Sequence, residues 1–396
     1  MGNSQFSSWP SFTQAEASAV GAVLLSNKVN YWTGKECQFF EKEFSEWSQT
    51  KYCIALANGT LALDLALNAV AVGIGDEVIV TSRTFIASVS SIVNSGAIPI
   101  FADVDLSTQN ITPNSIRLAI TAKTKALVCV HLAGWPCEMA EIMEIAKEFN
   151  LFVIEDCAQA HGGKYQGKPL GSIGDIGCWS FCQDKIMTTG GEGGMVATNN
   201  ELLWRKMWAH KDHGKSYNAV FERQHEEGFR WLHESFGTNW RMTEMQAAIG
   251  RIQLTRMLSW HFKRLENAKN VWNAARTCKG LRVPHIPDHI EHAAYKCYVF
   301  VKLEYLNKGW TRDKIIININ ALGVPCFAGS CSEVYLEKAF DNTGLRPNQR
   351  LPNAKELGET SLMFLVHPTL TQEEVQLMCD VLKSVMTLAV SDVAIK

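Results

Sequence analysis

The sequence predicts an α/β protein with a large, mainly parallel sheet, followed by a smaller α+β part. Three observations support this prediction. The chain of 396 residues is long enough for two or three domains. Between about residues 53 and 158, apolar strand patterns alternate with helical patterns, which is typical of a parallel sheet. After about residue 255, a long amphipathic helix and shorter strands replace this alternation.

The elements of the first part follow from the spacing of the apolar residues. Strands end in polar or glycine-containing turns, and helices show apolar residues three and four positions apart. The predicted strand segments are CIALANG (53–59), GDEVIVTS (75–82), AIPIFADVD (97–105), KALVCVHLAG (125–134) and LFVIEDCA (151–158). The predicted helices between them are TLALDLALNAV (60–70), FIASVSSIVNSG (85–96) and CEMAEIMEIAKEFN (137–150).

The second part opens with a predicted long helix, HFKRLENAKNVWNAARTC (261–278). A strand in AYKCYVFVKLE and helices in TRDKIIININALG and TQEEVQLMCDVLKSVM follow it. We therefore expect an N-terminal arm or entry helix over 1–35, a large domain over 36–255 and a small domain over 256–396.

The composition excludes several classes of protein. Lys and Arg number 38 against 40 Asp and Glu, so the formal net charge of −2 argues against a generally basic nucleic-acid-binding protein. No apolar run approaches 18 residues, and the first residues lack the charge and the apolar core of a secretory signal. We therefore expect a cytoplasmic protein with neither nucleic-acid nor membrane partners.

The 12 cysteines include no C-x-x-C pair, so the common zinc and thioredoxin signatures are absent. Free thiols in a reducing compartment are expected, and no bound metal. A thiol-redox or metal protein built on Cys178 and Cys182 is an alternative, but packing in the core is favoured for these two side chains.

Two candidate binding features follow the first two predicted strands. Asn58, Gly59 and Thr60 form a turn that opens a helix, where backbone N–H groups and a hydroxyl can hold a phosphate. Phe85 follows the next strand and can stack on a planar ligand. Taken alone, an ordinary turn and a core phenylalanine explain these residues as well.

Two more features follow later strands. The apolar run LFVI ends on Glu155 and Asp156, and a strand buried on both faces rarely ends in unpaired charge. Lys185 lies between an apolar strand and the glycine-rich stretch 190–194, which makes it a candidate covalent lysine. Taken alone, Lys185 is better explained as a surface lysine.

The four features together favour one chemistry. An aldehyde cofactor with a pyridine ring and a phosphate needs a lysine amine and an acid at the ring nitrogen. It also needs an aromatic side chain against the ring, and hydroxyl and backbone N–H groups for the phosphate. The strand ends supply all four kinds of group.

Longer segments resemble a known family: ALANGTLAL, EDCAQAHGG, GDIGCWSFCQDK with GGEGGM, and GTNWRMTEMQAAIG. The chain is similar over nearly its whole length to the DegT/DnrJ/EryC/StrS sugar aminotransferases. This resemblance implies the aspartate-aminotransferase-like fold type I, pyridoxal 5′-phosphate (PLP) as cofactor, and a homodimer with shared active sites. It also implies L-glutamate as amino donor and 2-oxoglutarate as its product.

The resemblance also implies roles for individual residues. Lys185 matches the Schiff-base lysine, Asp156 the acid at the ring nitrogen, and Gln159 the residue near the phenolic oxygen of the ring. The remaining positions match the stacking aromatic (Phe85), the phosphate-binding residues (Gly59, Thr60, Ser180) and the segment that reaches the phosphate of the neighbouring subunit (Asn239, Arg241).

The substrate is narrowed by a departure from the family pattern. Members that act on nucleotide-linked sugars often carry His-Tyr-x-Pro in the small domain, whereas residues 323–333 here read GVPCFAGSCSE. This departure argues against a nucleotide-linked sugar. The opening Asn30-Tyr31-Trp32-Thr33-Gly34 and the chain as a whole resemble family members that make an 8-amino sugar acid. This resemblance implies amination of the C8 aldehyde of 3-deoxy-manno-octulosonate, a lipopolysaccharide sugar acid. Arg230, Arg241 and His233 are candidate partners for its carboxylate. A nucleotide-linked 4-keto sugar is the alternative substrate.

Two rival functions remain within the same fold. Pyridoxamine-dependent sugar dehydratases resemble this chain but have histidine in place of the lysine, so Lys185 argues against that reaction. A non-catalytic binding or regulatory module is the other rival, and the intact set of Lys185, Asp156 and Gln159 argues against it.

Overall fold

The computed structural model describes residues 6–390 and contains a central sheet with helices on both faces. Its strands are short, with two to seven residues each. They are β1 Tyr52–Leu56, β2 Glu77–Thr81, β3 Ile98–Ala102, β4 Thr124–Val130, β5 Phe152–Asp156, β6 Lys164–Tyr165, β7 Lys168–Pro169, β8 Ile176–Ser180, β9 Gly194–Thr198, β10 Leu281–Arg282, β11 Ile290–Glu291, β12 Lys296–Val301, β13 Cys326–Phe327 and β14 Ser361–Leu365.

The central sheet has seven strands in the order β1-β9-β8-β5-β4-β2-β3. The pairs β2–β3, β2–β4, β4–β5 and β5–β8 are parallel, and β9 runs antiparallel to both of its neighbours. The predicted mainly parallel α/β fold is therefore confirmed. A four-stranded sheet in the order β10-β12-β14-β13 forms the core of the later part, and a three-stranded sheet pairs β6 with β7 and β11.

The α-helices of the described residues alternate with the strands of the central sheet and then surround the small sheet. They are α1 Gln14–Leu25, α2 Glu36–Ser48, α3 Gly59–Ala69, α4 Ala87–Asn94, α5 Pro113–Ala119, α6 Met139–Phe149, α7 Glu201–Lys211, α8 Glu244–Arg276, α9 Arg312–Ala321, α10 Pro352–Thr360 and α11 Gln372–Ala389.

The predicted helix at 261–278 is much longer in the structure, where α8 already begins at Glu244. Thr243 caps it, and Gln246 completes a capping box by bonding back to the Thr243 backbone. The N-terminal half of α8 packs in the core of the large sheet, whereas its residues from Ala268 onward pack in the core of the small sheet. The predicted domain boundary after residue 255 thus falls inside a continuous helix, and we keep it as a proposal.

No helix within residues 6–390 combines the length and the hydrophobicity that crossing a membrane requires.

Candidate active site

A cavity of about 930 Å³ lies at the edge where the parallel strands end, beneath the small sheet. The carboxyl ends of parallel strands meet at one edge, so residues far apart in the chain come together there. The cavity is lined by seven of the residues singled out from the sequence: Gly59, Thr60, Phe85, Asp156, Gln159, Ser180 and Lys185.

The two adjacent acids at the end of β5 have different surroundings. Successive residues of a strand point to opposite faces, so one carboxylate can face the cavity while its neighbour faces the core. Glu155 is fully buried and accepts hydrogen bonds from the backbone N–H groups of Gly171, Ile173 and Gly174. Its Oε2 also lies 3.0 Å from His131 Nε2. This acid organises the loop that precedes β8.

The hydrogen bond that the other ring nitrogen of His131 makes shows that His131 is the donor to Glu155. The Cys137 backbone N–H donates to His131 Nδ1, so the ring proton lies on Nε2 and points to Glu155. Burial alone would raise the pKa of Glu155. The hydrogen bond from His131, together with the backbone N–H groups of Gly174 and Gly171, outweighs burial and places the pKa of Glu155 below its ordinary value.

We expect Glu155→Gln to lower the free energy of unfolding by about 3 kcal/mol, because a neutral amide cannot accept all of these buried donors. Thermal unfolding of the holoprotein measures this loss, and the exposed Glu144→Gln serves as the matched control. Equal melting temperatures for both variants would show that the Glu155 contacts contribute nothing to stability.

Asp156 faces the cavity and is 6% exposed. The Ser88 hydroxyl donates to its Oδ2 at 2.7 Å, and the Ala158 backbone N–H donates to its Oδ1 at 3.1 Å. Thr84 Oγ1 lies 2.9 Å from Ser88 Oγ and extends this chain of hydroxyls. Burial raises the pKa of Asp156, and the Ser88 hydrogen bond is the strongest opposing contribution. A cationic N–H brought to this carboxylate would stabilise its charged form.

Gln159 is held at one end of its amide. Its Oε1 accepts a hydrogen bond of 2.8 Å from the backbone N–H of Ala133, a residue with a φ of +58°. The carbonyl oxygen is therefore used within the fold. The NH₂ end remains as the donor that the side chain can present to an acceptor in the cavity.

Lys185 follows β8 and lies beside two groups that fix its position. Its Nζ is 3.4 Å from Asp184 Oδ1 and 5.3 Å from the centre of the Tyr295 ring. The Tyr295 hydroxyl donates to Asp184 Oδ2 at 2.5 Å. From the N-terminal segment, the Trp9 indole N–H donates to the Lys185 backbone carbonyl at 2.8 Å. Contacts within the fold thus hold both the backbone and the side chain of Lys185 in place.

The corner formed by β1, α3 and β8 suits an anion. Asn58 caps α3 by accepting from the Leu61 backbone N–H, which leaves the first turn of the helix at the cavity wall with Thr60 exposed on it. A Cβ on Gly59 would lie 2.6 Å from the Ser180 Cβ, so a glycine is required for this close approach. Phe85, 68% exposed, forms another part of the wall, as expected for a stacking surface.

Four of the predicted site residues do not line the cavity of their own chain. Arg230 and His233 are exposed in the segment between α7 and α8, and Asn239 is exposed further along it. Arg241 binds the buried Asp212 through a 2.6 Å contact from its Nη1. Within one chain, the carboxylate partner expected from Arg230, Arg241 or His233 is therefore not at the cavity.

The sequence reasoning missed several residues that line the cavity or support it. Ser88, Tyr295, Lys296 and Tyr298 are the most prominent of these. For two of them, the sequence pattern indicates a position on one face of a strand. Lys296 and Tyr298 alternate with the apolar Cys297 and Val299, which is the period of a strand with one face in a core.

The cavity fits the cofactor implied by the resemblance. A buried carboxylate supplies the acid for a pyridinium nitrogen, and Asp156 has no cationic partner within 4.0 Å among residues 6–390. The helix start at Gly59 and Thr60, with the Ser180 hydroxyl, supplies phosphate donors. Phe85 supplies a ring surface, and Lys185 supplies the amine. The donor set therefore matches PLP in all four requirements.

Comparisons with known proteins agree with this geometry. The family model of the DegT/DnrJ/EryC1/StrS aminotransferase family matches residues 10–383. A GDP-perosamine synthase of Escherichia coli O157:H7 is 46% identical over 249 residues, which are 62% of this chain and 64% of that protein. A dTDP-3-amino-3,6-dideoxy-alpha-D-galactopyranose transaminase of Aneurinibacillus thermoaerophilus is 32% identical over 87% of this chain and 89% of its own length.

Among solved structures, an aminotransferase from Psychrobacter cryohalolentis is 65% identical, with a TM-score of 0.96 over 97% of this chain and 99% of that one. The aspartate-aminotransferase-like fold and the dependence on PLP that the sequence predicts are thereby confirmed. The chain belongs to the DegT/DnrJ/EryC1/StrS aminotransferase family and is a PLP-dependent aminotransferase.

Proposed function

We propose that this aminotransferase moves the amino group of L-glutamate to the C8 aldehyde of 3-deoxy-manno-octulosonate. The products are 2-oxoglutarate and 8-amino-3,8-dideoxy-manno-octulosonate, a sugar acid of lipopolysaccharide. Amino transfer to a sugar is supported by the relatives that act on sugars. The choice of a free sugar acid is our own and depends on the chemistry of the cavity wall.

The residues of the cavity have separate tasks in this proposal. When bound, PLP carries the amino group between the two substrates and withdraws electrons from the carbon that loses its proton. Asp156 keeps the ring nitrogen protonated, and Ser88 holds that carboxylate in place. Lys185 anchors the cofactor and, as a free amine, removes and returns the substrate proton. Gly59, Thr60 and Ser180 hold the phosphate, Phe85 packs on the ring, and Gln159 donates to its phenolic oxygen.

A neutral stretch of the cavity wall is the observation that favours a free sugar acid. Phe327, Gly329, Ser330 and Cys331 line the cavity in the stretch where the family's His-Tyr-x-Pro segment is missing. None of these side chains is cationic. A nucleotide diphosphate would need several cations or stacking groups along a groove, whereas a sugar acid needs one carboxylate partner and hydroxyl contacts.

A comparison of two substrates in separate assays tests the proposed specificity. The holoenzyme with glutamate is offered the octulosonate 8-aldehyde or a nucleotide-linked 4-keto sugar at equal concentration, and 2-oxoglutarate release is followed. We expect a clear preference for the octulosonate. A preference for the nucleotide-linked sugar would promote the alternative, which the names of the relatives favour, and would leave the aminotransferase assignment intact.

We further propose a homodimer in which each chain completes the site of the other. Asn239 and Arg241 lie outside the cavity of their own chain, and Asn239 is exposed. In a two-fold dimer, such residues can reach the phosphate of the partner's cofactor. Arg241 would do so while one of its nitrogens stays bound to Asp212.

Mixed dimers test this arrangement. A chain with Asn239→Ala and Arg241→Ala keeps Lys185, and a Lys185→Ala chain keeps Asn239 and Arg241, so one site of each mixed dimer is complete. Random mixing should restore about a quarter of the wild-type activity, because half of the dimers are mixed and each has one working site. The single variant Asn239→Ala serves as a control that keeps the Asp212 contact. Absence of recovery, with mixing verified, would place both functions in one chain.

A cytoplasmic location is proposed because all 12 cysteines are free in the structure. Cys178 is buried in the core, and Cys182 is half-buried at the cavity wall. Free thiols are typical of proteins in reducing compartments.

A further inference from the structure

The small sheet forms the roof of the cavity, and one of its residues that line the cavity, Lys296, is charged. Lys296 pairs with Leu365, and Tyr298 pairs with Met363, in the antiparallel ladder of β12 and β14. All four of these residues line the cavity. The intervening Cys297 is fully buried in the core on the other side of the sheet. The alternation of a strand therefore directs the Lys296 side chain toward the cavity.

Lys296 has no carboxylate partner within 4.0 Å in the described part of the chain. Its Nζ lies 4.5 Å from the centre of the Tyr295 ring. The nearby Asp184 is already engaged by the Tyr295 hydroxyl and by Lys185. A half-buried ammonium without a counter-ion is unfavourable by itself, so its position at the wall suits a bound anion.

The groups that face this amine also set its charge. Burial lowers the pKa of Lys296 to about 8, the charge of Asp184 opposes this shift, and the positive charges of Arg264 and Lys185 add to it. Tyr295, beneath the amine, has a pKa raised by burial and by Asp184 and stays neutral. His367 is also close, and burial, Arg264 and Lys296 lower its pKa to about 3. The amine therefore carries its charge below about pH 8.

Hydroxyl groups line the same cavity as this cation. The Tyr298 hydroxyl accepts a 2.9 Å hydrogen bond from the Ser330 backbone N–H and lies 3.3 Å from Ser330 Oγ. A single compact ammonium beside hydroxyl groups matches a molecule with one carboxylate and several hydroxyls. Glutamate has carboxylates but no hydroxyls, and a nucleotide diphosphate has more charge than one ammonium compensates.

We infer that Lys296 binds the carboxylate of the sugar-acid substrate and is thereby a specificity-determining residue. This inference rests on the proposed function. The amines of Lys185 and Lys296 lie near the same Tyr295 ring, at 5.3 and 4.5 Å from its centre. A sugar acid whose aldehyde end reaches Lys185 can thus present its other end to Lys296.

The test is a binding measurement on the holoenzyme. The probe is 3-deoxy-manno-octulosonate itself, which has the carboxylate but an 8-hydroxyl in place of the aldehyde, so it cannot be aminated at C8. Calorimetry should give a Kd at least about tenfold weaker for Lys296→Met than for the wild type at pH 7. Lys296→Arg is the matched control that keeps the charge, and it should bind within about threefold of the wild type.

Two further measurements show whether Lys296 binds the carboxylate of the sugar acid or a carboxylate of glutamate. The KM for glutamate in the first half-reaction should be unchanged in Lys296→Met. Between pH 7 and 9.5, the affinity of the wild type for the probe should fall as Lys296 loses its proton, whereas Lys296→Arg should show a much smaller change. Cofactor content and circular dichroism confirm that each variant is folded and loaded.

Equal affinity of Lys296→Met and the wild type for the probe would overturn the inference. A raised KM for glutamate with unchanged probe binding would also overturn it, because Lys296 would then bind the donor. Failure of the proposed function looks different: the wild type would aminate nucleotide-linked keto sugars and leave the octulosonate aldehyde untouched, whatever the residue at position 296.

Discussion

Lys185→Ala should reduce the rate of amino transfer by at least about 10³-fold, because the variant loses both the covalent anchor and the proton-transfer group. The 2-oxoglutarate released in the first half-reaction measures this loss. Borohydride treatment provides a second readout, since it should fix the cofactor covalently to the wild-type chain at Lys185 and leave the variant unlabelled.

The matched control is Lys168→Ala, which removes an exposed lysine from β7. It should keep wild-type activity and covalent labelling. Lys296 is the other lysine at the cavity wall, so peptide mapping of the labelled protein matters. Near-normal turnover in Lys185→Ala, or a label on Lys296, would show that the covalent residue has been assigned wrongly.

Asp156→Asn should lower kcat by about 10²- to 10³-fold, because a neutral amide cannot hold a proton on the ring nitrogen. The side chain keeps nearly the same shape, so the Ala158 N–H retains an acceptor. The NH₂ end would meet the Ser88 hydroxyl, whose donation to Oδ2 is lost. Steady-state kinetics and cofactor retention after dialysis are the measurements.

Ser88→Ala is the companion variant for Asp156. It removes one hydrogen bond of 2.7 Å and leaves the carboxylate in place, so the loss in kcat should be no more than about tenfold. If Ser88→Ala were as damaging as Asp156→Asn, the hydroxyl and not the charge would be the important feature. Full activity in Asp156→Asn would remove Asp156 from the catalytic set.

The strand ends of the large sheet were predictable because their chemistry interrupts strong apolar patterns. Asp156 follows a buried run, and Gly59 begins a helix directly after a strand, so a local sequence window indicates each position. Parallel strands place their carboxyl ends at one edge, and this topology brings the separate windows into one cavity. The resemblance then supplied the roles.

The roof of the cavity could not be predicted in the same way. The contribution of Lys296 depends on the register of β12 against β14, which pairs residues almost 70 positions apart. The alternation around Lys296 indicates a strand face but does not tell which surface that face meets. The contact of Arg241 with Asp212 is similarly a product of tertiary structure, because it joins the ends of a long irregular segment.

The start of helix α2 could not be predicted from local sequence, for a different reason. Its first backbone N–H groups, at Glu36 and Cys37, are capped by the carboxylate of Glu244, about two hundred positions later in the chain. Lys35, which precedes the helix, makes no side-chain cap of its own. A search for local start signals therefore finds none here.

The contacts of the N-terminal segment have a consequence for the order in which the protein is made. Trp9 binds the carbonyl of Lys185 and stacks on His367, and the Thr369 hydroxyl donates to the carbonyl of Ser8. Ser8 and Trp9 thus find their positions only against residues that are made 176 and 361 positions later in the chain. The large sheet can fold during translation before the small sheet is made, but the contacts that hold Ser8 and Trp9 beside Lys185 are complete only once residues 367–369 are available.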